Sequence, residues 1–249
     1  MKQNIASFFD STYLSTAQQL NITEEENLEK VKQVVLEAIE HQFKLVMLRQ
    51  NHLAEAKRMI DEKNSQVLLG TVIDFPLGQS SCKDKLKEIQ CAINSQADDI
   101  DVVVDYNRFK DGHISDIKQQ VFECTKLCLN NGKTIKWIIE SGALTDEEII
   151  NICYLIKDTV IQNFGVKSAH MVFVKSSTGF HSLPNGQCSG ATLDSIRLML
   201  KHAWPLAVKA SGGIRNYQDF EAIISAGVKR VGTSSALKIV QGESTITDY

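Results

Sequence analysis

The sequence predicts a single α/β domain with the TIM (β/α)8 barrel fold, a closed parallel sheet surrounded by helices. Three observations predict this fold. Short apolar runs typical of buried parallel strands alternate with segments of helical periodicity along the chain. The length of 249 residues suits one barrel of this type. An open doubly wound sheet that binds a dinucleotide would normally carry a GxGxxG turn after its first strand, and this sequence has none.

Seven apolar runs are predicted to be strands, and a weaker eighth is predicted at residues 5–9. Repeated βα units imply right-handed crossovers between parallel strands, and eight such units close into a barrel. The seven clear runs are FKLVML (43–48), VLLGTVI (67–73), DIDVVV (99–104), TIKWIIE (134–140), HMVFVK (170–175), LAVKA (206–210) and KRVGT (229–233).

The segments between these strands have the apolar spacing of amphipathic helices. One apolar stripe covers residues 28–39, and a second covers residues 149–160. Thr145 and Glu148 stand at the spacing of a capping box just before the second stripe, which predicts a helix start there. Residues 193–200 and 217–226 have similar spacing.

The composition excludes several classes of protein. Apolar residues make up 43% and charged residues 23% of the chain, which is ordinary for a globular protein and argues against disorder. The net charge of −3, without a long basic run, disfavours nucleic acid and anionic membranes as partners. Neither a signal-peptide core nor a membrane-spanning segment is present. We therefore expect a cytoplasmic protein with one domain over residues 1–249.

The cysteines indicate neither a metal site nor a disulfide framework. None forms a CxxC pair or has a histidine at zinc-finger spacing, so small semi-buried thiols in a reducing compartment are expected. The six are Cys82, Cys91, Cys124, Cys128, Cys153 and Cys188.

Charged residues lie inside the predicted strands, where apolar residues are expected. Taken singly, Lys136 or Lys209 would be expected to reach solvent along its aliphatic stem, and a lone acid often caps the next helix. Taken together, they lie mostly toward the carboxyl ends of the later strands, where barrel active sites lie. Lys136 and Glu140 are four apart, which predicts that they share one strand face. The residues are Asp101, Lys136, Glu140, Lys175 and Lys209.

Two lysines on neighbouring strands suit Schiff-base chemistry. An amine must be neutral to attack a carbonyl, and a free lysine with a pKa near ~10.4 is almost wholly protonated at neutral pH. A second cation and partial desolvation both lower that pKa. Lys175 and Lys209 are predicted on strands six and seven, so one can activate the other. Asp101 could then move protons, directly or through water.

Glycine-rich loops after the last two strands predict a phosphate site. In barrel enzymes this region commonly binds phosphate through backbone N–H groups, and glycine permits close approach of the backbone to the anion. Arg215 could add charge, although an arginine after a turn is more often surface-exposed. The predicted phosphate-binding residues are Gly179, Gly212, Gly213, Gly232, Ser234 and Ser235.

Several segments together resemble the deoxyribose-phosphate aldolases, a family of class I aldolases. They occur in the family's order and span nearly the whole chain. The paired lysine motifs are the most specific. The segments are FVKSSTGF around Lys175, AVKASGGIR around Lys209, DIDVVV around Asp101, IIESGAL after Lys136, FFDSTYL around Asp10, TVIDFPLG at 71–78 and RVGTSSAL at 230–237.

The resemblance implies a (β/α)8 barrel that reversibly cleaves 2-deoxy-D-ribose 5-phosphate to acetaldehyde and D-glyceraldehyde 3-phosphate, with no metal or organic cofactor. It implies that Lys175 forms the Schiff base, that Lys209 perturbs it and that Asp101 shuttles protons. The C-terminal Tyr249 matches a tyrosine linked in some members to protonating the enamine. Asp10, like Lys136 and Glu140, is expected to have a supporting role. A homodimer is also a family-level expectation.

The chain departs from the family's pattern after its second strand. Arg49 and Gln50 in KLVMLRQNHL replace an Asn-Pro or Tyr-Pro turn, which bears on acceptance of the sugar hydroxyls. Two alternatives stay open. One is another phosphate-binding Schiff-base barrel, such as a transaldolase or a fructose-phosphate-type aldolase. The other is a barrel that lost catalysis and serves as a binding protein.

Overall fold

The strands form a closed parallel barrel in a computed structural model that describes residues 5–181 and 190–242. Each strand pairs with the next along the chain, and β8 pairs with β1. The predicted closed sheet is therefore confirmed. The strands are β1 (Phe9–Tyr13), β2 (Leu45–Leu48), β3 (Leu68–Ile73), β4 (Asp99–Val103), β5 (Thr134–Ile138), β6 (Val172–Lys175), β7 (Ala207–Ser211) and β8 (Arg230–Thr233).

Helices follow the strands and cover the outside of the barrel. Thr145 and Glu148 form the predicted capping box, because each side chain accepts a hydrogen bond from the other residue's backbone N–H. Within the described ranges, the helices are α1 (Ala17–Leu20), α2 (Glu24–Glu40), α3 (Leu53–Glu62), α4 (Cys82–Asn94), α5 (Tyr106–Lys110), α6 (Ile114–Asn130), α7 (Asp146–Phe164), α8 (Leu193–Ala203), α9 (Tyr217–Ser225) and α10 (Ala236–Gln241). In the same ranges, 3-10 segments lie at Ile5–Phe8, Gln50–His52, Ser141–Ala143 and Val166–Met171.

The first strand lies four residues later than predicted. Residues 5–8 form a 3-10 helix, and β1 begins at Phe9. The prediction followed the apolar residues, but β1 has the sequence FDSTY and turns Asp10 into the barrel. An ionised inward residue interrupts the apolar run of a strand, so the sequence FDSTY resembles that of a turn.

Alternation along the strands divides the buried side chains into two sets. Outward residues such as Val46, Trp137 and Val174 belong to the large core between the sheet and the helices. Inward residues on β2 and β3, including Leu45, Met47 and Val72, form a second, smaller apolar cluster inside the barrel. The remaining strands carry charged residues on the same inner face. None of the helices in the two described ranges combines the length and apolar character needed to cross a membrane.

Candidate active site

Charged side chains from six strands meet inside the barrel and are together called the ionic cluster here. Each is less than a tenth exposed to solvent, so each needs partners to offset its desolvation. Lys136 and Lys209 are fully buried, and the single-residue expectation that they reach solvent is wrong. The cluster comprises Asp10 from β1, Asp99 and Asp101 from β4, Lys136 from β5, Lys175 from β6, Lys209 from β7 and Arg230 from β8.

Asp101 is the hub of this cluster. Its Oδ2 atom accepts hydrogen bonds from Lys175 Nζ at 2.9 Å and from Lys209 Nζ at 2.8 Å. Its Oδ1 atom accepts one from Lys136 Nζ at 3.0 Å. Burial tends to raise the carboxyl pKa, but the three lysines hold the pKa of Asp101 well below its usual range. Asp101 is therefore a carboxylate that brings the two predicted reactive lysines to one oxygen atom.

Lys175 is easier to deprotonate than an ordinary lysine. The pKa of Lys175 is lowered from 10.5 to about 8: burial is the largest cause, the positive charges of Lys209 and Lys136 act in the same direction, and Asp101 acts in the opposite direction. About a tenth of the amine is then neutral at pH 7. Desolvation and a second lysine were the two causes anticipated from the sequence, and desolvation is the larger.

The opposite charges of the cluster keep Asp10 and Lys136 in their charged forms. Asp10 Oδ2 lies 2.6 Å from Lys209 Nζ and 3.7 Å from Lys136 Nζ. Burial acts to raise the pKa of Asp10, but Arg230, Lys209 and Lys136 lower it to about 2. Burial acts to lower the pKa of Lys136, but Asp101, Asp99 and Asp10 raise it above its ordinary value.

Two members of the ionic cluster, Asp99 and Arg230, were missed by the sequence analysis. Asp99 accepts a hydrogen bond from Lys136 at 2.7 Å and one from Arg230 at 3.1 Å. Period-two alternation could have found both residues. Asp99 precedes Asp101 by two, and Arg230 precedes Gly232 by two, so each shares a strand face with a residue already selected.

Glu140 does not share a strand face with Lys136, contrary to the prediction. β5 ends at Ile138, and Glu140 adopts a left-handed conformation with φ of 53°. Its buried Oε2 atom accepts hydrogen bonds from the backbone N–H of Thr178, at 3.1 Å, and from the Thr178 hydroxyl. Glu140 therefore fixes the loop after β6 instead of joining the ionic cluster.

A cavity of about 240 Å³ opens at the carboxyl ends of the strands, next to Lys175. Gly212 and Gly213 have φ values of 83° and 80°, a left-handed backbone that favours glycine. The cavity wall includes Lys175, Arg215 and all six residues predicted to bind phosphate: Gly179, Gly212, Gly213, Gly232, Ser234 and Ser235.

Gly232 differs from the other five because it lies within β8 and not in the loop that follows. A Cβ atom at this position would lie 2.9 Å from Lys209 Cε and 3.2 Å from Ser211 Cβ. The missing side chain therefore leaves room for Lys209, a role that the prediction of a phosphate loop did not anticipate.

Arg49 follows β2 at the carboxyl end of the barrel and contacts the two neighbouring loops. Its Nε atom donates to the Leu14 carbonyl oxygen at 2.9 Å, and its Nη1 atom donates to the Phe75 carbonyl oxygen at 3.2 Å. The guanidinium also lies over the Phe75 ring, 5.0 Å from its centroid. Arg49 thus ties together the loops that follow β1 and β3, while Gln50 begins a short 3-10 helix.

Some sequence predictions lie outside the described residues, namely those for Tyr249 and Cys188. In the described ranges, no group of three or more histidine, cysteine, aspartate or glutamate side chains is arranged to hold a metal ion.

The chain is similar to known aldolases in both sequence and fold. The family model described as DeoC/LacD family aldolase matches residues 8–242. A deoxyribose-phosphate aldolase of Staphylococcus epidermidis is 36% identical over 247 residues, covering 99% of this chain and 100% of that protein. One of Thermococcus kodakarensis is 35% identical over 242 residues, covering 97% of each. Among solved structures, the tetrameric deoxyribose phosphate aldolase of Aeropyrum pernix aligns with a TM-score of 0.78 and 28% identity, over 97% of this chain and 92% of that one.

Proposed function

This chain belongs to the DeoC/LacD family of aldolases, and on that premise we propose that it is a deoxyribose-phosphate aldolase whose Schiff base forms at Lys175. It is a lyase that cleaves 2-deoxy-D-ribose 5-phosphate reversibly to acetaldehyde and D-glyceraldehyde 3-phosphate. The observation that carries the assignment of Lys175 is its place in the cavity wall, buried and 2.9 Å from Asp101, with Lys209 bonded to the same carboxylate oxygen.

The first chemical step is attack on the open-chain sugar. The neutral Nζ of Lys175 adds to the C1 aldehyde, water leaves, and an iminium forms. A pKa of about 8 supports this step because a useful fraction of the amine is free near neutral pH. The positive charge of Lys209 opposes protonation of Lys175 and so favours attack.

Carbon–carbon cleavage follows from the iminium. The C2–C3 bonding electrons move into the C1–C2 bond as the iminium nitrogen takes up electrons, and the 3-hydroxyl loses its proton. We assign the relay of that proton through water to Asp101, and the hydrogen bonds that its Oδ2 atom accepts from both lysines support this role. Glyceraldehyde 3-phosphate leaves, the enamine is protonated at C2, and hydrolysis releases acetaldehyde.

The phosphate is assigned to the loops after β6, β7 and β8. The backbone of Gly179, Gly212 and Gly213, with Ser234 and Ser235, lines the same cavity as Lys175. Binding the distal phosphate there would orient C1 toward the amine and lower the entropic cost of reaction. Arg215 in the same wall adds positive charge.

The remaining assignments rest on the family resemblance. On that resemblance alone, we assign Tyr249 a part in protonating the enamine. A cytoplasmic homodimer is the proposed form of the protein. Sedimentation analysis of the purified chain measures the oligomeric state directly.

Reductive trapping tests the assignment of Lys175. The protein is incubated with acetaldehyde, reduced with borohydride, digested and mapped by mass spectrometry. An ethyl group is expected on Lys175, and Lys175→Ala is expected to lose both the adduct and nearly all release of acetaldehyde in a coupled assay. Lys57→Ala, which removes a lysine paired with Asp61 on the outer helix α3, is the matched control and should behave as the unaltered protein. A folded protein that cleaves the substrate without modification of Lys175 would contradict the assignment.

A further inference from the structure

Arg230 is a buried cation that the proposed mechanism does not use. It is 7% exposed, and within the described residues it is absent from the wall of the cavity that Lys175 lines. Its Nε atom donates to Asp10 Oδ1 at 2.6 Å, and its Nη2 atom lies 3.1 Å from Asp99 Oδ2. A buried guanidinium with two carboxylate partners is costly to desolvate, so its presence calls for a structural or functional reason.

The strand register places Arg230 beside the second lysine. β8 lies between β7 and β1, with Arg230 opposite Lys209 on one side and Gly232 opposite Asp10 on the other. Asp10 therefore contacts Arg230 through Oδ1 and Lys209 through Oδ2. Arg230 fixes the carboxylate that fixes Lys209.

The charges of the ionic cluster do not balance when every group is ionised. Its four cations face three carboxylates, so the release of one proton makes the cluster neutral. In the described residues, Lys175 contacts one carboxylate, that of Asp101. Each of the other cations contacts two or more: Lys209 contacts Asp10 and Asp101, Lys136 contacts Asp10, Asp99 and Asp101, and Arg230 contacts Asp10 and Asp99.

We propose that Arg230 is a positioning residue that makes Lys175 the surplus cation of the cluster by occupying Asp10 and Asp99. The inference rests on the proposed function, in which Lys175 is the nucleophile. With Arg230 present, loss of the Lys175 proton gives a neutral cluster. Without it, three cations would face three carboxylates, and a protonated Lys175 would complete the balance.

The charged groups around Lys175 come from several strands and are consistent with its being the surplus cation. Asp101, Lys136 and Lys209 face it from β4, β5 and β7, and Arg215 lines the cavity beside it. Asp10, Asp99 and Arg230 form the next layer of charge. β2 and β3 contribute the apolar side chains of Leu45, Met47 and Val72 to the interior. Asp10 and Asp99 also raise the pKa of Arg230 against the effect of its burial, so its charge persists.

The test compares Arg230→Met with Arg230→Lys. The readouts are the acid limb of the pH profile of kcat/KM and the pH dependence of borohydride trapping at Lys175 with acetaldehyde. Removing a cation stabilises protonated Lys175, so in Arg230→Met both profiles should move to higher pH by roughly one unit. At pH values below the pKa of Lys175, the neutral fraction of its amine should be about tenfold smaller in this variant. Arg230→Lys keeps the charge and should retain profiles close to those of the unaltered protein.

Arg58→Met is the matched control. Arg58 pairs with Glu55 and Glu62 on the outside of α3, and its removal should leave both profiles in place. Asp99→Asn gives a change of opposite sign, because losing a carboxylate should move the acid limb to lower pH. Asp99→Asn tests the charge balance of the cluster if Arg230→Met does not fold.

The outcomes separate this inference from the proposed function. If the unaltered protein forms no adduct at Lys175, the proposed function fails. If it forms the adduct but the limb stays unmoved in folded Arg230→Met, only the role of Arg230 is overturned. An unmoved limb in Asp99→Asn overturns that role as well, and a shift as large in Arg230→Lys as in Arg230→Met would also count against it.

Discussion

The two halves of the barrel interior differ sharply in chemistry although they share one sheet. On β2 and β3 the inward residues include Leu45, Met47 and Val72, which pack as an apolar cluster. On the other six strands the inward residues include the ionic cluster. The inward side chains named on β2 and β3 are apolar, and burial is the largest cause of the lowered pKa of Lys175. The comparison teaches that a reactive lysine needs both halves: an environment that excludes water, and an excess of cations over carboxylates.

Neutralising the hub of the ionic half should have the largest effect. Asp101→Asn keeps the size of the side chain but removes the charge that three lysines share. We expect kcat to fall by about 10²- to 10⁴-fold, the usual contribution of a positioned proton-transfer group. Because Asp101 raises the pKa of Lys175, its loss should move the acid limb of kcat/KM to lower pH.

A coupled acetaldehyde assay across pH measures both effects of Asp101→Asn. Trapping at Lys175 should persist in this variant, because the amine itself is intact and more readily deprotonated. A kcat within a few-fold of the unaltered protein would remove Asp101 from the proton transfer, and an acid limb displaced to higher pH would contradict the charge argument.

Removing the surplus cation should make the protein more stable while making it inactive. Lowering a lysine pKa from 10.5 to about 8 corresponds to about 3 kcal/mol less stability while the folded-state amine is protonated. Lys175→Met removes that charge and keeps an apolar stem of similar length. We expect its free energy of unfolding at pH 7 to exceed that of the unaltered protein by up to about 3 kcal/mol, a trade of stability for activity.

The pH dependence fixes the sign of this second prediction. Between pH 8 and 10.5 the unfolded state binds more protons at Lys175 than the folded state does, so the stability of the unaltered protein rises with pH in that window. The advantage of Lys175→Met should be present in full below pH 8 and should vanish by about pH 10.5. Urea unfolding at pH 7 and pH 10 measures it, and a variant less stable at pH 7 would show that the Lys175–Asp101 ion pair outweighs desolvation.

The apolar half and the outer face of the barrel could be predicted from sequence because burial leaves a local pattern. Runs such as VLLGTVI and the capping box at Thr145 need no knowledge of distant residues. The paired lysines could also be selected, since a charge inside an apolar run is unusual wherever its partners lie. The presence of two such lysines on neighbouring predicted strands indicated Schiff-base chemistry from the sequence alone.

The ionic half could be predicted only in part because its pairing is non-local. Arg230 reaches Asp10 across the closure between β8 and β1, and nothing near either residue indicates the other. The start of β1 was misplaced because its inward aspartate, Asp10, interrupts the apolar pattern. Glu140 was misplaced for a different reason: the backbone turns left-handed two residues after β5 ends, so strand alternation no longer applies.

A matched pair of glycines should give the smallest and most direct contrast between the two halves. A Cβ at Gly70 on β3 would lie 2.7 Å from Met47 Cε, whereas a Cβ at Gly232 on β8 would lie 2.9 Å from Lys209 Cε. Gly70→Ala should cost about 1 kcal/mol of stability, because its nearest neighbours are the ends of the Met47 and Leu45 side chains, which can move, and it should leave the pH profile unchanged. Gly232→Ala should displace Lys209 and lower kcat/KM by roughly 10- to 100-fold. Thermal unfolding and pH-resolved kinetics on both variants measure the contrast, and an equal loss of activity from the two alanines would mean that the halves do not divide packing from chemistry as the structure indicates.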